Sequence, residues 1–223
     1  NIDGRFVNKN LVVDKLTAES TQVVDQFLLG QVTTLLDDRF LRLGDAILAS
    51  LVLILTLIVT IPIALLLLVV NGRVFEKLER FGGWPDLAGR QAPVALQKFS
   101  LWRFTTERKS GGETAVGRML QRLELHRLPE LWNVLRGDMR LVGVKPLTAV
   151  EINQISEAWQ QKRHECPAGF TGLWYIQTRP GSSLDEILIT DAYYVATRSW
   201  RANLRLLGQT PLAWGRRLKQ NTR

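Results

Sequence analysis

The sequence lacks the residues on which disulfide-bonded and zinc-binding domains are built. Cysteine occurs once in 223 residues, at Cys166, which excludes an internal disulfide framework and a zinc site made of several cysteines. Internal repeats and low-complexity tracts are also missing, so the pattern favours neither a solenoid nor a disordered chain. A chain of this length suits one compact domain with an attachment.

Acidic residues are scarce relative to basic ones. The chain has 29 Lys and Arg against 21 Asp and Glu, which gives a net charge of +8 and a pI near 10.1. Such a balance favours an acidic partner: nucleic acid, anionic lipid headgroups or a phosphorylated substrate. No helix-turn-helix, RNA-binding sheet or zinc module is recognisable in the sequence, so a membrane-anchored nucleic-acid binder is the disfavoured alternative and no nucleic-acid partner is expected.

Charge is absent altogether from the segment between Ala46 and Val70, AILASLVLILTLIVTIPIALLLLVV. Its 25 residues are enough to cross the hydrocarbon core of a bilayer. The alternative is a buried core helix, but soluble helices are rarely apolar on every side over such a length. The segment therefore predicts contact with a membrane.

Two arrangements of this segment in the membrane remain open. Pro62 lies inside it and removes one backbone hydrogen bond, which predicts a kink or a break. Basic residues are typical of the cytoplasmic side of a membrane helix, and here they flank both ends: Arg39, Arg42, Arg73, Lys77 and Arg80. This favours a helix that enters, bends near Pro62 and returns to the same face, but the charges fit an ordinary kinked spanning helix equally well.

The chain divides into three zones. Residues 1–38 are polar with weak helical periodicity, and we interpret them as a linker and helix that end a longer upstream region. The sequence starts at Asn1 rather than Met, so no targeting signal is read there. Residues 39–71 form the membrane segment and residues 72–223 a domain of short helices. Near its end, a basic stretch with tryptophans predicts an amphipathic helix that lies either in the lipid headgroups or against the domain.

The domain carries a recognisable signature. Residues 128–146, LPELWNVLRGDMRLVGVKP, resemble the signature of the bacterial sugar transferases, also called monotopic phosphoglycosyl transferases, whose usual pattern is Asp-Glu-Leu-Pro-Gln, Asn-Val-Leu, Gly-Asp-Met-Ser and Val-Gly-Pro-Arg-Pro. The likeness extends over about residues 39–215 in the family's element order. Other matching positions are Arg42, Asp45, Pro62, Gly72, Val74, Phe75, Glu79, Arg80, Gly82, Gly117, Arg118, Pro167, Gly169, Thr171, Gly172, Leu173, Asp191, Tyr194 and Thr210.

The resemblance implies a fold and a place in the cell. We expect an α+β, mostly helical protein with a re-entrant helix-break-helix and a small cytoplasmic domain whose amphipathic helices lie on the membrane. Its place would be the cytoplasmic face of the bacterial inner membrane. Membrane lipid, polyprenyl (undecaprenyl) phosphate and a nucleotide-diphosphate sugar are the implied partners.

The resemblance also implies a reaction. The family transfers a sugar phosphate to polyprenyl phosphate at the start of exopolysaccharide or glycoconjugate assembly. Its Asp attacks the sugar-linked phosphate and nucleoside monophosphate leaves, while the Glu and Mg²⁺ manage the phosphate charge.

This chain departs from the family at its catalytic pair. His126 and Arg127 stand where the family has Asp-Glu. Lys145 replaces the Arg of the phosphate-binding loop, which keeps a cation but loses its bidentate geometry. Val144 replaces the Pro before that Arg, and polar positions differ as well at Thr105, Arg140 and Asn203.

Three hypotheses for His126 follow. The domain is catalytically silent and serves as a scaffold or regulator of an active paralogue; or His126 is itself a phosphate-accepting nucleophile, with Arg127 supplying positive charge; or both residues belong to a basic surface. A homodimer is a further option for the partner.

The remaining candidates are phosphate and metal contacts. Five basic residues are expected to bind substrate phosphate, with a solvated surface position as the alternative for each: Arg80, Arg118, Arg136, Lys145 and Arg179. Asp138, in RGDM, matches an acidic family position and is the weak candidate ligand for the Mg²⁺ that the resemblance implies. A turn in which Asp138 accepts backbone hydrogen bonds is the alternative.

Overall fold

The structure, a computed structural model, describes residues 42–83 and 96–221. The linker expected at residues 1–38 lies outside these ranges. The helices are α1 Arg42–Asn71, α2 Ala115–Arg122, α3 Glu130–Arg136, α4 Ala149–Asn153, α5 Ala158–Gln161, α6 Leu173–Gln177, α7 Leu184–Thr197 and α8 Trp200–Asn221, with short 3₁₀ helices at Leu125–Arg127 and Lys162–Glu165. The strands are β1 Phe75–Gly83, β2 Leu96–Phe104, β3 Arg140–Val142 and β4 Gly169–Thr171. The expected α+β, mostly helical class is confirmed.

Helix α1 is long and apolar enough to cross a membrane, and among the described residues it alone has this length and composition. Hydroxyl groups inside this helix donate hydrogen bonds to carbonyls of its own backbone: Ser50 to Ala46 and Thr56 to Val52, both at 2.8 Å. The helix is continuous through Pro62, so the expected break is corrected to uninterrupted helix, while the alternative of a kink stays a prediction. One missing hydrogen bond is tolerated because the bonds on either side persist.

From Leu43 onward, α1 belongs to the same compact unit as the domain, Leu43–Arg223. Residues near both ends of the helix contact the domain. Near its start, the carboxylate of Asp45 pairs with Arg140 Nε at 2.5 Å, and Ala49 packs in the core beside Met139. Near its end, Leu67 is fully buried against Phe104. The helix is thus attached to the domain along its length, while its outer face exposes apolar side chains.

Two small sheets organise the domain. Strands β1 and β2 pair antiparallel from Phe75 opposite Phe104 to Gly83 opposite Leu96. Strands β3 and β4 pair in parallel, with Val142 opposite Thr171. The backbone after β3 also bridges to Ala168 through Val144, so the segment that carries Lys145 is fixed to the second sheet.

Helices α2 and α3 define the position of the short 3₁₀ helix between them. Thr114 caps α2 by accepting a hydrogen bond from the Gly117 amide at 3.0 Å. Glu124 then adopts a left-handed backbone (φ +58°), which turns the chain sharply before residues 125–127. Pro129 follows as the N-cap of α3, where a residue without an amide hydrogen costs nothing. His126 and Arg127 therefore sit on a tight, well-defined turn.

Helix α8 packs one face on the domain. Leu206 and Ala213 are buried on that face, whereas Leu204 and Leu212 are exposed. Exposed apolar residues on a basic helix suit the headgroup region, and that location remains a prediction. Arg217, one of the arginines of this basic stretch, is instead buried and donates to the carbonyl of Tyr175 at 3.0 Å.

Gly143 allows the two backbone segments that form the second sheet to approach closely. A Cβ added there would lie 2.3 Å from the carbonyl oxygen of Pro167 and 2.8 Å from the amide of Gly169, distances that require the strands to separate. We expect Gly143→Ala to lower the free energy of unfolding by about 2–3 kcal/mol, measured by urea denaturation in detergent. Gly208→Ala is the control.

A Cβ at Gly208 meets no atom within 4 Å, and the residue is exposed on α8. Since alanine is the better helix former, Gly208→Ala should raise the free energy of unfolding by about 0.5–1 kcal/mol. Equal effects of the two substitutions would contradict the proposed close packing at Gly143.

Candidate active site

His126 and Arg127 lie on the wall of a cleft of about 450 Å³. Cations outnumber carboxylates among its residues, which is typical of a site for an anion. The lining residues are Arg80, Arg103, Glu124, His126, Arg127, Lys145, Pro146, Thr148, Glu151, Trp174 and Arg217. Four of the sequence-predicted site residues, Arg80, His126, Arg127 and Lys145, are thus brought together.

A buried carboxylate holds two of the cleft's guanidinium groups. Glu130, in the first turn of α3, is completely buried and accepts from Arg103 Nε at 2.6 Å and from Arg127 at 2.8 Å. Burial opposes its charged form, but the two arginines outweigh this and lower the pKa of Glu130 to about 2. Glu130 is therefore an anion at all physiological pH values and fixes both arginines.

Arg127 is enclosed on its other sides as well. It donates to the Phe170 carbonyl at 2.6 Å and lies 3.6 Å from the carboxylate of Glu124. The rings of Phe170 and Tyr175 stand about 5 Å from its guanidinium carbon, within cation–π range. Although burial opposes the charge, Glu130 raises the pKa of Arg127 above its ordinary value. Arg127 is a fixed, permanent cation.

His126 is neutral at physiological pH. Burial, followed by the nearby charges of Arg103 and Arg127, lowers its pKa to about 4. Its Nδ1 lies 3.3 Å from the carbonyl oxygen of Leu120, and since a carbonyl only accepts, Nδ1 carries the ring proton. The lone pair is therefore on Nε2, the nitrogen that a nucleophile or general base would use.

Buried charges position the loop that carries Lys145. Arg163 pairs with Asp191 at 2.9 Å, both almost fully buried, and Arg163 also donates to the Lys145 carbonyl. Asp191 accepts from the Lys145 amide at 3.3 Å. The ammonium group of Lys145 pairs with Glu151 at 2.8 Å. Both sides of the Lys145 peptide are held from within the domain.

Arg80 is the cleft cation with the fewest fixed partners. Its guanidinium donates to the backbone carbonyl of Glu79 at 2.8 Å, and no carboxylate within the described ranges is in salt-bridge contact with it. Burial and then the neighbouring Arg103 lower the pKa of Arg80 from its ordinary value. An anion in the cleft would relieve this repulsion.

The structure separates the other predicted phosphate contacts from the cleft. Arg118 lines an adjoining pocket of about 430 Å³ that shares His126. Arg136 is 3.4 Å from Asp138 at the far end of α3. Arg179 is exposed and lines a separate depression near the start of α7. Arg136 and Arg179 therefore do not line the cleft.

Several functional residues were missed by sequence reasoning. They reach the cleft or its floor from three parts of the chain: Arg103 from β2, Glu124 and Glu130 from the turn before α3 and its first residue, and Arg217 from α8. One signal was available: Glu130 stands where the family has Gln, three residues after Arg127, a spacing that allows an ion pair on one helical turn.

The residues present do not fit the expected Mg²⁺. Hard cations need free oxygen ligands, but Glu151 already binds Lys145 and Thr148, and Glu124 lies against Arg127. Asp138 accepts from Asn133 at 2.8 Å and does not line the cleft. Within the described ranges no group of three or more His, Cys, Asp or Glu could hold a metal ion. Magnesium stays a prediction from the resemblance.

An apolar groove of about 460 Å³ lies between α1 and the β1–β2 pair. Leu128 and Pro129, the residues directly after Arg127, form part of its wall. The groove residues are Leu53, Leu57, Thr60, Ile61, Ala64, Phe75, Trp102, Phe104, Leu128, Pro129 and Trp132. The turn that carries His126 thus borders a basic cleft through residues 126–127 and an apolar groove through residues 128–129.

A long apolar helix joined to a basic cleft is typical of a membrane-associated protein with a site suited to an anion. The family model described as Bacterial sugar transferase matches residues 36–217, and the chain belongs to this family. The family membership predicted from the motifs is thereby confirmed.

Named relatives agree with this membership. The chain is 34% identical over 160 residues to "Uncharacterized sugar transferase EpsL" of Bacillus subtilis, covering 68% of this chain and 75% of that protein. It is 34% identical over 119 residues to "Exopolysaccharide production protein ExoY" of Sinorhizobium fredii, covering 53% and 51%. It is 37% identical over 87 residues to "Undecaprenyl-phosphate galactose phosphotransferase" of Salmonella typhimurium, covering 39% of this chain and 18% of that protein.

Proposed function

We propose that this protein transfers a sugar phosphate from a nucleotide-diphosphate sugar to polyprenyl phosphate at the membrane surface, as a first step in exopolysaccharide or glycoconjugate assembly. The observation that carries the proposal is the pairing of a basic cleft with an apolar groove on one turn of the chain. The cleft suits the phosphates and the groove suits an isoprenoid chain. The names of two relatives, which concern undecaprenyl phosphate and exopolysaccharide, support the same substrates.

His126 takes the place of the acidic nucleophile in this proposal. The lone pair of Nε2 attacks the sugar-linked phosphorus, the bond from that phosphorus to the bridging oxygen breaks, and nucleoside monophosphate leaves with the electron pair. A phosphate oxygen of polyprenyl phosphate then attacks the same phosphorus, the N–P bond breaks, and neutral His126 is restored. Arg103 and Arg127 stabilise the negative charge on the phosphoryl oxygens in both steps.

The contacts of α1 with the domain near both of its ends support a helix that stays at one face of the membrane instead of crossing it. From Asp45 to Leu67 a helix extends about 33 Å at its usual rise of 1.5 Å per residue, and residues at both points contact the domain. A helix that crossed the bilayer would carry one of these contacts to the far side. We therefore place α1 and the cleft at the cytoplasmic leaflet of the inner membrane.

Release of UMP tests the proposed function. The detergent-solubilised protein is incubated with a panel of UDP-sugars, with and without undecaprenyl phosphate. We expect UMP release from at least one donor to rise at least about tenfold above background when the lipid is present. The lipid takes the sugar phosphate from His126 and so frees the histidine for another turnover. Absence of release with every donor would contradict catalysis.

A catalytically silent scaffold for an active transferase is the second candidate. The observation that favours it is the exchange of both family acids for His126 and a buried Arg127. A return to the family pair requires three substitutions, His126→Asp, Arg127→Glu and Glu130→Gln, because Arg127→Glu alone would place a second carboxylate beside Glu130 in one buried site. UMP release by the triple variant alone would establish a disabled site on an intact scaffold.

A further inference from the structure

We propose that the cleft binds the diphosphate of its donor without Mg²⁺, because its arginines, Arg80 together with the Arg103 and Arg127 held by Glu130, take the role of the metal. The inference rests on the proposed function and adds to it the way in which the substrate charge is neutralised. It concerns binding, so it is testable even if the chain does not turn over.

The carboxylates of the cleft are already paired with basic side chains. Glu130 is fully buried and shared by Arg103 and Arg127. Glu151 accepts from Lys145 at 2.8 Å and from the Thr148 amide at 2.8 Å. A divalent cation would have to displace one of these cations and approach the others, which like-charge repulsion opposes.

The carboxylate of Glu124 is also occupied by basic side chains. Its carboxylate lies 3.6 Å from Arg127 and 3.9 Å from Arg217, and it accepts from the Tyr175 hydroxyl at 3.4 Å. Each carboxylate on the cleft wall or floor that the structure describes is thus already neutralised by a basic side chain.

Positive charge is in surplus in the cleft, where Arg80, Arg103 and Lys145 share one wall with Arg127 and Arg217. Burial, and after it the charge of Arg103, lowers the pKa of Arg80, and burial, followed by the charges of Arg103 and Arg127, lowers the pKa of His126. Burial is the main cause of both shifts, and repulsion between the neighbouring cations adds to it. Binding of an anion removes that repulsion without a metal.

Arg127 is rigid: Glu130, the Phe170 carbonyl at 2.6 Å and aromatic rings on its faces fix it. Because these groups take its donors, Arg127 contributes a fixed positive charge. Arg103 binds Glu130 through Nε at 2.6 Å, so its outer guanidinium nitrogens can meet phosphate oxygens. A rigid arginine pair can therefore do for a diphosphate what a bound cation does elsewhere.

Isothermal titration of UDP into the detergent-solubilised chain tests the proposal. We expect the dissociation constant in EDTA to lie within about threefold of that in Mg²⁺. Arg80→Gln should weaken binding about tenfold, the usual effect of losing one charge-assisted contact. Arg179→Gln, an exposed arginine outside the cleft, is the matched control and should leave the dissociation constant unchanged.

Three outcomes would overturn the inference. If UDP binds only in the presence of Mg²⁺, the inference fails while the proposed function stands. If UDP binds under neither condition and UMP release is also absent, both fail. If Arg80→Gln and Arg179→Gln weaken binding equally, the anion site is not this cleft.

Discussion

Glu130→Gln is expected to lower the free energy of unfolding by about 3–5 kcal/mol, the usual cost of removing one partner from a buried ion pair. The substitution keeps the shape of the side chain but removes the charge that Arg103 and Arg127 share. Arg127 is buried and cannot move its charge into water, so an uncompensated cation remains inside the domain. Urea denaturation in detergent, followed by circular dichroism, measures the loss.

The pH dependence of this loss has a definite sign. The pKa of Glu130 is lowered to about 2 in the folded protein, so its contribution is complete above its unfolded value near 4.5 and disappears as the pH falls toward 2. Glu79→Gln is the control, since Glu79 pairs with Lys98 at the surface and should cost less than about 1 kcal/mol. Equal losses for the two variants would contradict the buried network.

The second large effect concerns catalysis. If the natural protein releases UMP, His126→Asn should reduce the rate by about 10³-fold or more, the scale of loss when a covalent nucleophile is removed. Asparagine keeps a polar side chain of similar reach but has no ring nitrogen with a free lone pair. Initial rates of UMP release from the best UDP-sugar are the measurement.

The chain supplies its own control for this experiment. His164, the other histidine, does not line the cleft, so His164→Asn should leave the rate within about twofold. Because the pKa of His126 is lowered to about 4, the acid limb of the natural protein's pH–rate profile should fall near pH 4 rather than near 6.5. An unchanged rate in His126→Asn would assign the nucleophile elsewhere.

The sequence was sufficient for the membrane helix and the family, because both depend on contiguous residues. A run of 25 uncharged residues has few structural alternatives, and the block at 128–146 preserves its spacing. Lys145 and Arg80 were predicted as phosphate contacts because each occupies a position where the family motif carries a basic residue. Both line the cleft, and their contact with phosphate stays a prediction.

The composition of the cleft could not be predicted in the same way. Arg103 and Glu130 are separated by 27 residues and meet only because β2 packs against α3. Arg136 and Arg179 were chosen for their charge, and charge alone does not report which basic side chains share a surface. Arg217, from a helix assigned to the lipid headgroups or the domain surface, is buried beside Tyr175.

The pairing of Asp45 with Arg140, far apart in sequence, couples the membrane helix to the folding of the domain. The same core contains Ala49 of α1 and Met139 of the domain, so the interior of the domain is complete only when α1 packs against it. A domain cut away from α1 would expose these buried side chains. The membrane segment is therefore part of the folding unit and not a detachable anchor.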